Sequence, residues 1–318
     1  MTSFQTLTVL VPAYNEAEVI DAFHRRLATV LDGLTLDSRV LYVDDGSRDD
    51  TWARIVALAA VDARVRALRL SRNFGKEAAM TAGLDHVDSD ALVVIDADLQ
   101  DPPELIPALL QRAADGFDVV YATRARRDGE TWFKKLTSAS FYRAMERLSN
   151  TPVPRDTGDF RLMNRRAVQA VNALRERQRF MKGLFAWIGY RQASLVYDRD
   201  ARNAGTTKWN YWRLANLAIE GVTSFSTAPL RVASWTGLAA ALLSFAYAAW
   251  VFVKALIWGD PVRGYPTLMV VILFLGGAQL LAIGLIGEYV GRTYAETKRR
   301  PLYYVEDRQG DLPLPPHE

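Results

Sequence analysis

The N-terminal part of the chain alternates short apolar runs with amphipathic stretches. The runs have the length and the β-branched composition of strands. Between the first two runs, Ile20, Phe23 and Leu27 recur with helical spacing. Strands that alternate with helices predict an α/β domain whose mostly parallel sheet is covered by helices. The predicted strands are residues 7–11, 40–43, 65–70, 91–95 and 119–122.

Further along, the pattern is weaker but still indicates regular structure. It predicts helices over residues 165–174 and 181–187 and a strand over residues 195–197. In the first half, Asn15 with Glu18 and Ser47 with Asp50 have the spacing of capping boxes. These two pairs therefore predict helix starts directly after the first two strands.

The C-terminal part has the pattern of a membrane anchor. Residues 210–226 predict an amphipathic helix along a membrane surface. Residues 232–258 and 265–290 are each longer than the roughly 20 apolar residues that cross a hydrocarbon core. Trp and Tyr residues near the ends of both segments are typical of membrane interfaces, whereas two buried helices of a soluble core are the alternative. The sequence therefore predicts two transmembrane helices joined by a tight turn at 259–264.

Basic residues flank the apolar segments on one side. Arg231 precedes the first, and Arg292 and residues 298–300 follow the second. The positive-inside rule then places both termini and the α/β domain in the cytoplasm of a multi-pass inner-membrane protein. The predicted organisation is a catalytic domain at 1–208, an amphipathic helix at 209–228, two transmembrane helices at 229–291 and a basic, Pro-rich tail at 292–318.

Composition narrows the choice of partner. The chain has 318 residues, a net charge of +3 and no cysteine, and its pI is about 9.0. Its basic residues cluster beside the apolar segments and in residues 124–135, which favours anionic lipid or phosphate over nucleic acid. The absence of cysteine excludes disulfides and Cys-ligated metal sites. The apolar run at 7–11 is too short for a signal peptide.

Carboxylates follow the fourth predicted strand. Asp96 and Asp98 come directly after an apolar run, and ligands of open α/β sheets bind beyond the carboxyl ends of strands. Strand alternation would place both side chains on one side. A diphosphate there needs a divalent cation, and Mg²⁺ takes one or two carboxylates together with phosphate and water. The alternative for an Asp-x-Asp pair is a solvated turn.

A second acidic pair, Asp44 and Asp45, follows the second strand. A carboxylate at this place can accept a hydrogen bond from the imide N–H of uracil. The same residues also fit an Asp-Gly turn with Ser47 as a helix N-cap. Both interpretations are compatible.

Five ordered motifs closely resemble glycosyltransferase family two enzymes that make polyisoprenyl-phosphate sugars, among them dolichyl-phosphate mannosyltransferases and bactoprenol glucosyltransferases. The resemblance covers residues 7 to about 300. It implies a GT-A fold, a nucleotide-sugar donor, Mg²⁺ or Mn²⁺ and inversion at the anomeric carbon. The motifs are residues 12–16 (PAYNE), 43–51 (VDDGSRDDT), 71–76 (SRNFGK), 96–103 (DADLQDPP) and 158–162 (GDFRL).

Matched residue by residue, the resemblance assigns the donor site. It places a nucleoside pocket at Pro12, Tyr14, Glu16, Asp44 and Asp45, with Lys76 nearby. It also implies that Asp96 contacts the nucleotide, and that Asp96, Asp98 and Gln100 hold the metal and the diphosphate. Catalytic roles fall on Asp98 and on Asp159, which is either a base or a residue that orients the sugar, since some relatives carry Gly at the latter position.

The acceptor site is predicted from basic residues. Arg124, Arg126, Arg127 and Lys135 offer donors for a lipid phosphate. A basic loop beside anionic lipid would have the same composition without binding substrate. Arg202 and Lys208 resemble the later Arg-x-x-Gly-x-x-Lys segment of the family, which contacts phosphates next to the membrane.

Together, these features and the resemblance predict a hexosyltransferase that acts on polyisoprenyl phosphate. UDP-glucose is the first choice of donor, and GDP-mannose is the alternative. A glycoside hydrolase would need no metal or nucleotide loop, and a non-catalytic membrane scaffold would need no acidic site. Rossmann and P-loop glycine motifs do not occur after a strand. Gly287 and Gly291, spaced for helix packing, together with the resemblance favour a homo-oligomer, with a tetramer as one form.

Overall fold

The computed structural model describes residues 4–124, 157–177, 179–197 and 264–313, together with scattered helical positions between 235 and 257. The chain divides into two compact units. The first comprises residues 1–143, 151–211 and 300–318, and the second comprises residues 144–150 and 212–299. All strands described below belong to the first unit.

The order of elements in the first unit alternates strands and helices up to residue 124. The strands are β1 (Thr6–Ala13), β2 (Asp37–Asp44), β3 (Val65–Leu70), β4 (Ala91–Val94), β5 (Val119–Arg124), β6 (Thr157–Asn164), β7 (Gln192–Tyr197) and β8 (Val305–Gln309). The helices are α1 (Ile20–Asp32), α2 (Thr51–Val61), α3 (Lys76–Asp85), α4 (Ile106–Ala114), α5 (Arg165–Ala173) and α6 (Met181–Trp187). A 3₁₀ turn, Pro103–Leu105, precedes α4.

The eight strands form one sheet in the order β7-β5-β6-β4-β1-β2-β3-β8. Strands β1 to β4 pair in parallel, and β5 pairs in parallel with β7. Strand β6 lies antiparallel between β4 and β5, and β8 runs antiparallel to β3 at one edge. The carboxyl ends of β1, β2 and β4 therefore meet at the same edge of the sheet, next to the amino end of β6.

Helices cover both faces of the sheet. On one face, Leu7 and Val9 of β1 belong to a buried cluster with Phe23 of α1 and Leu109 of α4. On the other face, α3 packs so closely that a Cβ on Gly83 would lie 2.1 Å from Leu10 Cδ1. Gly83 therefore lets the last turns of α3 pack directly against the Leu10 side chain of β1.

The predicted α/β class and the five predicted strands of the first half are confirmed, and every strand end agrees to within three residues. One shift matters for the site. Strand β4 ends at Val94, so Asp96 and Asp98 lie in the following loop and strand alternation does not orient them. The helices predicted after residue 164 are also present as α5 and α6.

Two strands were not predicted. Strand β6 contains Asp159 and Arg161, whose charges hide the apolar alternation of Phe160 and Leu162. Strand β8 has the sequence VEDRQ and a largely exposed surface, so no apolar periodicity marks it. It lies within the segment that the sequence assigns to a basic, Pro-rich tail.

The predicted capping boxes are wrong. Helix α1 begins after Val19 and α2 begins after Asp50, and neither residue makes a side-chain cap. Asn15 and Ser47 instead join the loops that follow β1 and β2, because the Asn15 N–H donates to Ser47 Oγ at 2.9 Å. Polar side chains that can cap a helix can equally join two neighbouring loops, and here the tertiary contact is the one formed.

In the second unit, α7 spans Tyr265–Thr297, which is 33 residues. Among the described residues, one segment, Phe274–Thr297, has the length and composition of a membrane span, with a mean hydropathy of 1.4. Of the first predicted span, only scattered positions are described, and they are helical. The predicted amphipathic helix at 210–226 lies outside the described residues.

Candidate active site

A cavity of about 250 Å³ opens at the carboxyl ends of β1, β2 and β4. Its walls come from the four loops that follow β1, β2, β3 and β4 and from the start of α3. This is the place where open α/β sheets bind ligands. Most of the predicted donor-site residues line it. The lining residues are Pro12, Ala13, Tyr14, Glu16, Asp45, Asn73, Gly75, Lys76, Ala79, Asp96, Ala97 and Asp98.

The loop after β1 is held by the loop after β2. Asn15 has a positive φ of 55°, and its Oδ1 accepts a hydrogen bond from the Arg48 N–H at 2.9 Å. The Glu16 N–H donates to Thr51 Oγ1 at 2.9 Å. These bonds fix the two residues that flank Asn15, namely Tyr14 and Glu16, at the cavity. The Ser-x-x-x-Thr part of the second motif therefore positions the first motif.

The two carboxylates after β2 have different surroundings. Asp44 is fully buried, accepts from the Ser47 N–H at 3.1 Å and lies 3.5 Å from Arg69 Nε, and it is outside the cavity lining. Asp45 lines the cavity and accepts from the Phe74 and Gly75 N–H groups at 2.7 and 2.9 Å. Burial raises the pKa of both carboxyls. Of the two predicted nucleoside contacts, the structure brings only Asp45 to the cavity.

Gly46 brings the loop after β2 against the loop after β3. It has a φ of 63°, and a Cβ there would lie 2.5 Å from the carbonyl carbon of Arg72. Backbone atoms cannot yield as the end of a flexible side chain can. The Asp-Gly dipeptide therefore permits a direct backbone contact between the two loops that carry Asp45 and Lys76.

The loop after β4 contains a bulky residue in a left-handed conformation. Leu99 has a φ of 58°, which is rare for such a side chain. It follows Asp98, whose Oδ1 accepts from the Gln100 N–H at 3.1 Å, and it packs on the main core cluster. Core packing of Leu99 thus offsets the backbone strain and fixes the turn that presents Asp98. Gln100 is buried and outside the cavity lining.

Lys76 joins two carboxylates from different strands. Its Nζ lies 2.6 Å from Asp96 Oδ1 and 2.6 Å from Asp159 Oδ2. Asp96 follows β4 and Asp159 lies in the neighbouring strand β6, so the ammonium group neutralises two charges that would otherwise repel each other. The structure therefore brings together three residues that the sequence assigned to separate roles.

The two carboxyls respond differently to this environment. Burial would raise the pKa of Asp159, but the positive charges of Lys76, Lys182 and Arg161 outweigh it and lower the pKa to about 2. For Asp96, burial is the largest cause and raises the pKa, against the attraction of Lys76. Asp159 is therefore ionised at neutral pH and is a weak base.

Three charged residues around Asp159 are not among the predicted site residues. Arg161 is 4% exposed, donates through Nη2 to the Gly158 carbonyl at 3.0 Å and lies 3.9 Å from the ring centre of Phe185. Burial lowers its pKa to about 10. Glu77 accepts from the Met181 N–H, and Lys182 follows in the first turn of α6. The sequence contains a hint for two of the three, because Glu77 adjoins Lys76 and Arg161 lies in the fifth motif.

The donor set fits a hard divalent cation. Asp96 and Asp98 both line the cavity, and a cationic group already lies against Asp96. Within the described residues, no group of three or more His, Cys, Asp or Glu side chains could hold a metal ion. Two carboxylates with phosphate and water suffice for Mg²⁺, whereas a dedicated protein cage needs more ligands.

The predicted acceptor residues are largely outside the described chain. Arg124 is the last residue of β5. Arg126, Arg127, Lys135, Arg202 and Lys208 lie outside the described residues. The acceptor site therefore stays a prediction.

A second cavity, of about 350 Å³, lies at the opposite edge of the sheet. Thr6 at the start of β1 and Asp37 at the start of β2 line it, together with Asp311. It contains none of the predicted site residues. Because ligands of this sheet type bind beyond the carboxyl ends, the smaller cavity is the candidate active site.

The sequence matches the model of glycosyl transferase family 2 over residues 8–171 and that of the GtrB C-terminal hairpin over residues 228–293. The first match covers more than half of the chain. The protein therefore belongs to glycosyl transferase family 2, and the resemblance stated from its motifs is confirmed.

Full-length relatives agree with this family. The chain is 48% identical to an uncharacterized glycosyltransferase, sll0501, of Synechocystis, over 97% of each chain. It is 44% identical to the bactoprenol glucosyl transferase of Shigella phage SfX, over 95% of this chain and 99% of that protein. The protein is thus a glycosyltransferase enzyme.

Solved structures include a more distant likeness. The glucosyl-3-phosphoglycerate synthase of Mycobacterium tuberculosis, in complex with Mn²⁺, UDP-glucose and phosphoglyceric acid, is 21% identical with a TM-score of 0.47. The alignment covers 69% of this chain and 79% of that one.

Proposed function

We propose that the protein transfers a hexose, with inversion, from a nucleotide diphosphate sugar to polyisoprenyl phosphate at the cytoplasmic face of a membrane. UDP-glucose is the first choice of donor. The observation that carries the proposal is the meeting of Asp96 and Asp98 with Tyr14 and Asp45 in one cavity at the carboxyl edge of the sheet. The names of relatives, bactoprenol glucosyl transferases, support polyisoprenyl phosphate as the acceptor and glucose as the sugar.

The donor would bind across the four loops. Tyr14, 38% exposed at the cavity, offers a face for a base. The oxygens of Asp45, held by two backbone amides, can each accept a further hydrogen bond, such as that of a uracil imide. Guanine could donate to the same carboxylate through its N1–H, so the preference for UDP-glucose over GDP-mannose, the alternative donor, rests on the relatives named glucosyl transferases.

The diphosphate would lie against the loop after β4. Asp96 and Asp98 would hold Mg²⁺ or Mn²⁺ there, and a bound divalent cation supplies charge stabilisation to the leaving diphosphate. Lys76 is within reach of the same place, because its Nζ already contacts Asp96. Its ammonium group adds positive charge next to the bond that breaks.

In the reaction, an oxygen of the lipid phosphate forms a bond to the anomeric carbon while the bond from that carbon to the diphosphate breaks. The lipid phosphate is largely dianionic at neutral pH, since its second pKa is about 6. It needs no strong base, and Asp159, with its pKa of about 2, would be a poor one. We assign Asp159 to orienting the sugar and holding Lys76, and catalysis to alignment of the reacting atoms.

The membrane part of the proposal rests on the C-terminal half. Helix α7 contains an apolar segment long enough to cross a bilayer, and the match to the GtrB C-terminal hairpin covers both predicted spans. We propose two transmembrane helices with both termini in the cytoplasm, an acceptor site that includes Arg124, Arg126, Arg127, Lys135, Arg202 and Lys208, and assembly as a homo-oligomer.

The test is an assay of the purified protein with labelled UDP-glucose and undecaprenyl phosphate, with and without EDTA. We expect lipid-linked glucose, its loss with EDTA and its recovery with Mg²⁺ or Mn²⁺. Asp98→Asn should lower the rate by about 100-fold or more, in line with the removal of one group that stabilises a transition state. Asp88→Asn, a matched change at an exposed carboxylate paired with Arg165, should leave it unchanged.

Three results would contradict the proposal. They are transfer that chelation leaves unaffected, full activity in Asp98→Asn, and release of free glucose in place of lipid-linked glucose. Parallel reactions with UDP-GlcNAc and GDP-mannose identify the sugar, and preference for GDP-mannose would replace the first choice of donor with the alternative.

A further inference from the structure

The chain returns to the catalytic sheet after α7. Strand β8 pairs with β3, and just before it the Tyr304 carbonyl accepts a hydrogen bond from the Ser71 N–H at 2.9 Å. The ring of Tyr304 lies against Phe74, with 6.5 Å between ring centroids. Two contacts thus join the C-terminal segment to residues 71–76, which we call the donor loop because three of its residues line the cavity.

The donor loop is connected to the site at its other end. The Phe74 and Gly75 N–H groups donate to Asp45, and Lys76 contacts Asp96 and Asp159. Phe74 lies between Asn73 and Gly75, two residues of the cavity wall. Its ring faces away toward Tyr304 and toward Arg72, whose guanidinium carbon is 4.0 Å from the ring centre. A shift of Phe74 would therefore move the wall directly.

From this chain of contacts we infer that Tyr304 is a positioning residue for the donor site, acting through Phe74 on the donor loop. The inference rests on the proposed donor site. Tyr304 is 57% exposed, so its ring adds little to the core and its contact with Phe74 is the main thing that a substitution removes. Tyr304 lies outside the five motifs and more than 200 residues beyond the donor loop in the sequence.

Tyr303 provides the matched comparison. Its hydroxyl donates to Asp85 Oδ2 at 2.9 Å, and Asp85 is the last residue of α3, at the end of that helix far from Lys76. Tyr303→Phe therefore removes a contact between the same C-terminal segment and the far end of α3, and it leaves the contacts with the donor loop in place.

The experiment measures the Kd of UDP-glucose in the presence of Mn²⁺ by calorimetry, with the full chain in detergent. Tyr304→Ala should raise the Kd by roughly three- to tenfold, the equivalent of one aromatic pair. Tyr304→Phe keeps the ring and should bind as the wild type does. Tyr303→Phe should lower the melting temperature and leave the Kd unchanged.

A double-mutant cycle with Phe74→Ala tests the route. Both single variants should weaken binding, and the double variant should be no weaker than the worse of them, since both remove the same contact. Unchanged binding in Tyr304→Ala, or an equal rise of Kd in Tyr303→Phe, would overturn the inference while the donor site stands. Failure of the wild type to bind UDP-glucose would overturn both.

Discussion

At the residue scale, the positively charged Lys76 lies between two carboxylates, one in the loop after β4 and one in β6. Asp96 and Asp159 each lie 2.6 Å from its Nζ. A second cation that approaches Asp96 competes with this ammonium group for the same oxygens. Lys76, the residue that would face the diphosphate after donor binding, therefore also neutralises these two carboxylates.

Lys76→Met should destabilise the metal-free protein by about 1–3 kcal/mol, because it leaves charged hydrogen-bond partners unpaired in a half-buried site. Mn²⁺ should then raise the melting temperature of the variant more than that of the wild type. Arg54→Met is the control, since Arg54 pairs with Asp21 at an exposed position, where an ion pair is worth up to about 1 kcal/mol. Equal responses of wild type and Lys76→Met to Mn²⁺ would contradict this account of Lys76.

Glu77 gives the site a pH dependence. Burial, and then the negative charge of Asp159, raise its pKa from 4.5 to about 7. Because the folded-state pKa is the higher one, the stability linked to Glu77 is complete below about pH 4.5 and is lost as the pH rises through 7.

Glu77→Gln removes this titration. The free energy of unfolding of the wild type, relative to that of the variant, should therefore fall by up to about 3 kcal/mol between pH 4.5 and pH 8. Chemical denaturation of both proteins at the two pH values measures it. Parallel stability profiles for the two proteins would show that Glu77 is not buried as a protonated acid.

At the scale of elements, the cavity is an assembly of loops whose strands are fixed by the sheet. The loop after β1 bonds to the loop after β2, and Gly46 of the latter touches the backbone of Arg72. Each loop thus depends on its neighbour. A change at one loop should be felt at another without any altered contact to ligand.

Gly46→Ala tests this dependence. The added Cβ would meet backbone atoms at 2.5 Å and φ is positive, so both space and conformation oppose it. We expect a loss of stability of about 2 kcal/mol or more and weaker UDP-glucose binding. Gly33→Ala is the matched control, because Gly33 has a negative φ and an ordinary 3.4 Å contact, and it should change stability by less than about 1 kcal/mol. Two variants of equal stability would contradict the loop contact.

The elements also show what the sequence could predict. Parallel strands such as β1 and β2 are buried on both faces, so their apolar runs identified them. The motifs predicted most of the residues that line the cavity, including Asp45, Lys76, Asp96 and Asp98. The separation of Asp44 from that cavity was not predictable, because neighbouring residues of one motif point to opposite sides. The roles of Asn15 and Ser47 were mistaken, because a capping pattern does not tell which backbone amide a side chain will find.

At the scale of the whole molecule, the proposal of two spans with both termini in the cytoplasm is directly testable. The chain has no cysteine, so a single introduced thiol is the only target of a maleimide. Asp260→Cys, in the predicted external turn, should react with a membrane-impermeant maleimide in spheroplasts. Asp115→Cys, exposed beside α4, should react only after permeabilisation. Labelling of both positions from the same side would exclude this topology.

At this scale, the sequence did not indicate which distant strands pair with each other. Arg66 of β3 donates to the carbonyl of Asp311 across 245 residues, and the polar strand β8 carries no pattern that would announce its partner. Strand β6 was hidden for a related reason, since Arg161 is a buried charge in a position where a buried strand would be expected to be apolar.

The position of β8 has a consequence for biosynthesis. While the ribosome makes the chain, β3 is complete long before β8 emerges, and until then it presents an open edge to other nascent chains. Unpaired edges of this kind promote aggregation, and charged side chains such as Arg66 and Arg69 discourage it. Because β8 is the last strand of the chain, the sheet can close at this edge only after α7 has been synthesised. The contacts of Tyr304 with the donor loop therefore form only when almost the entire chain has been made.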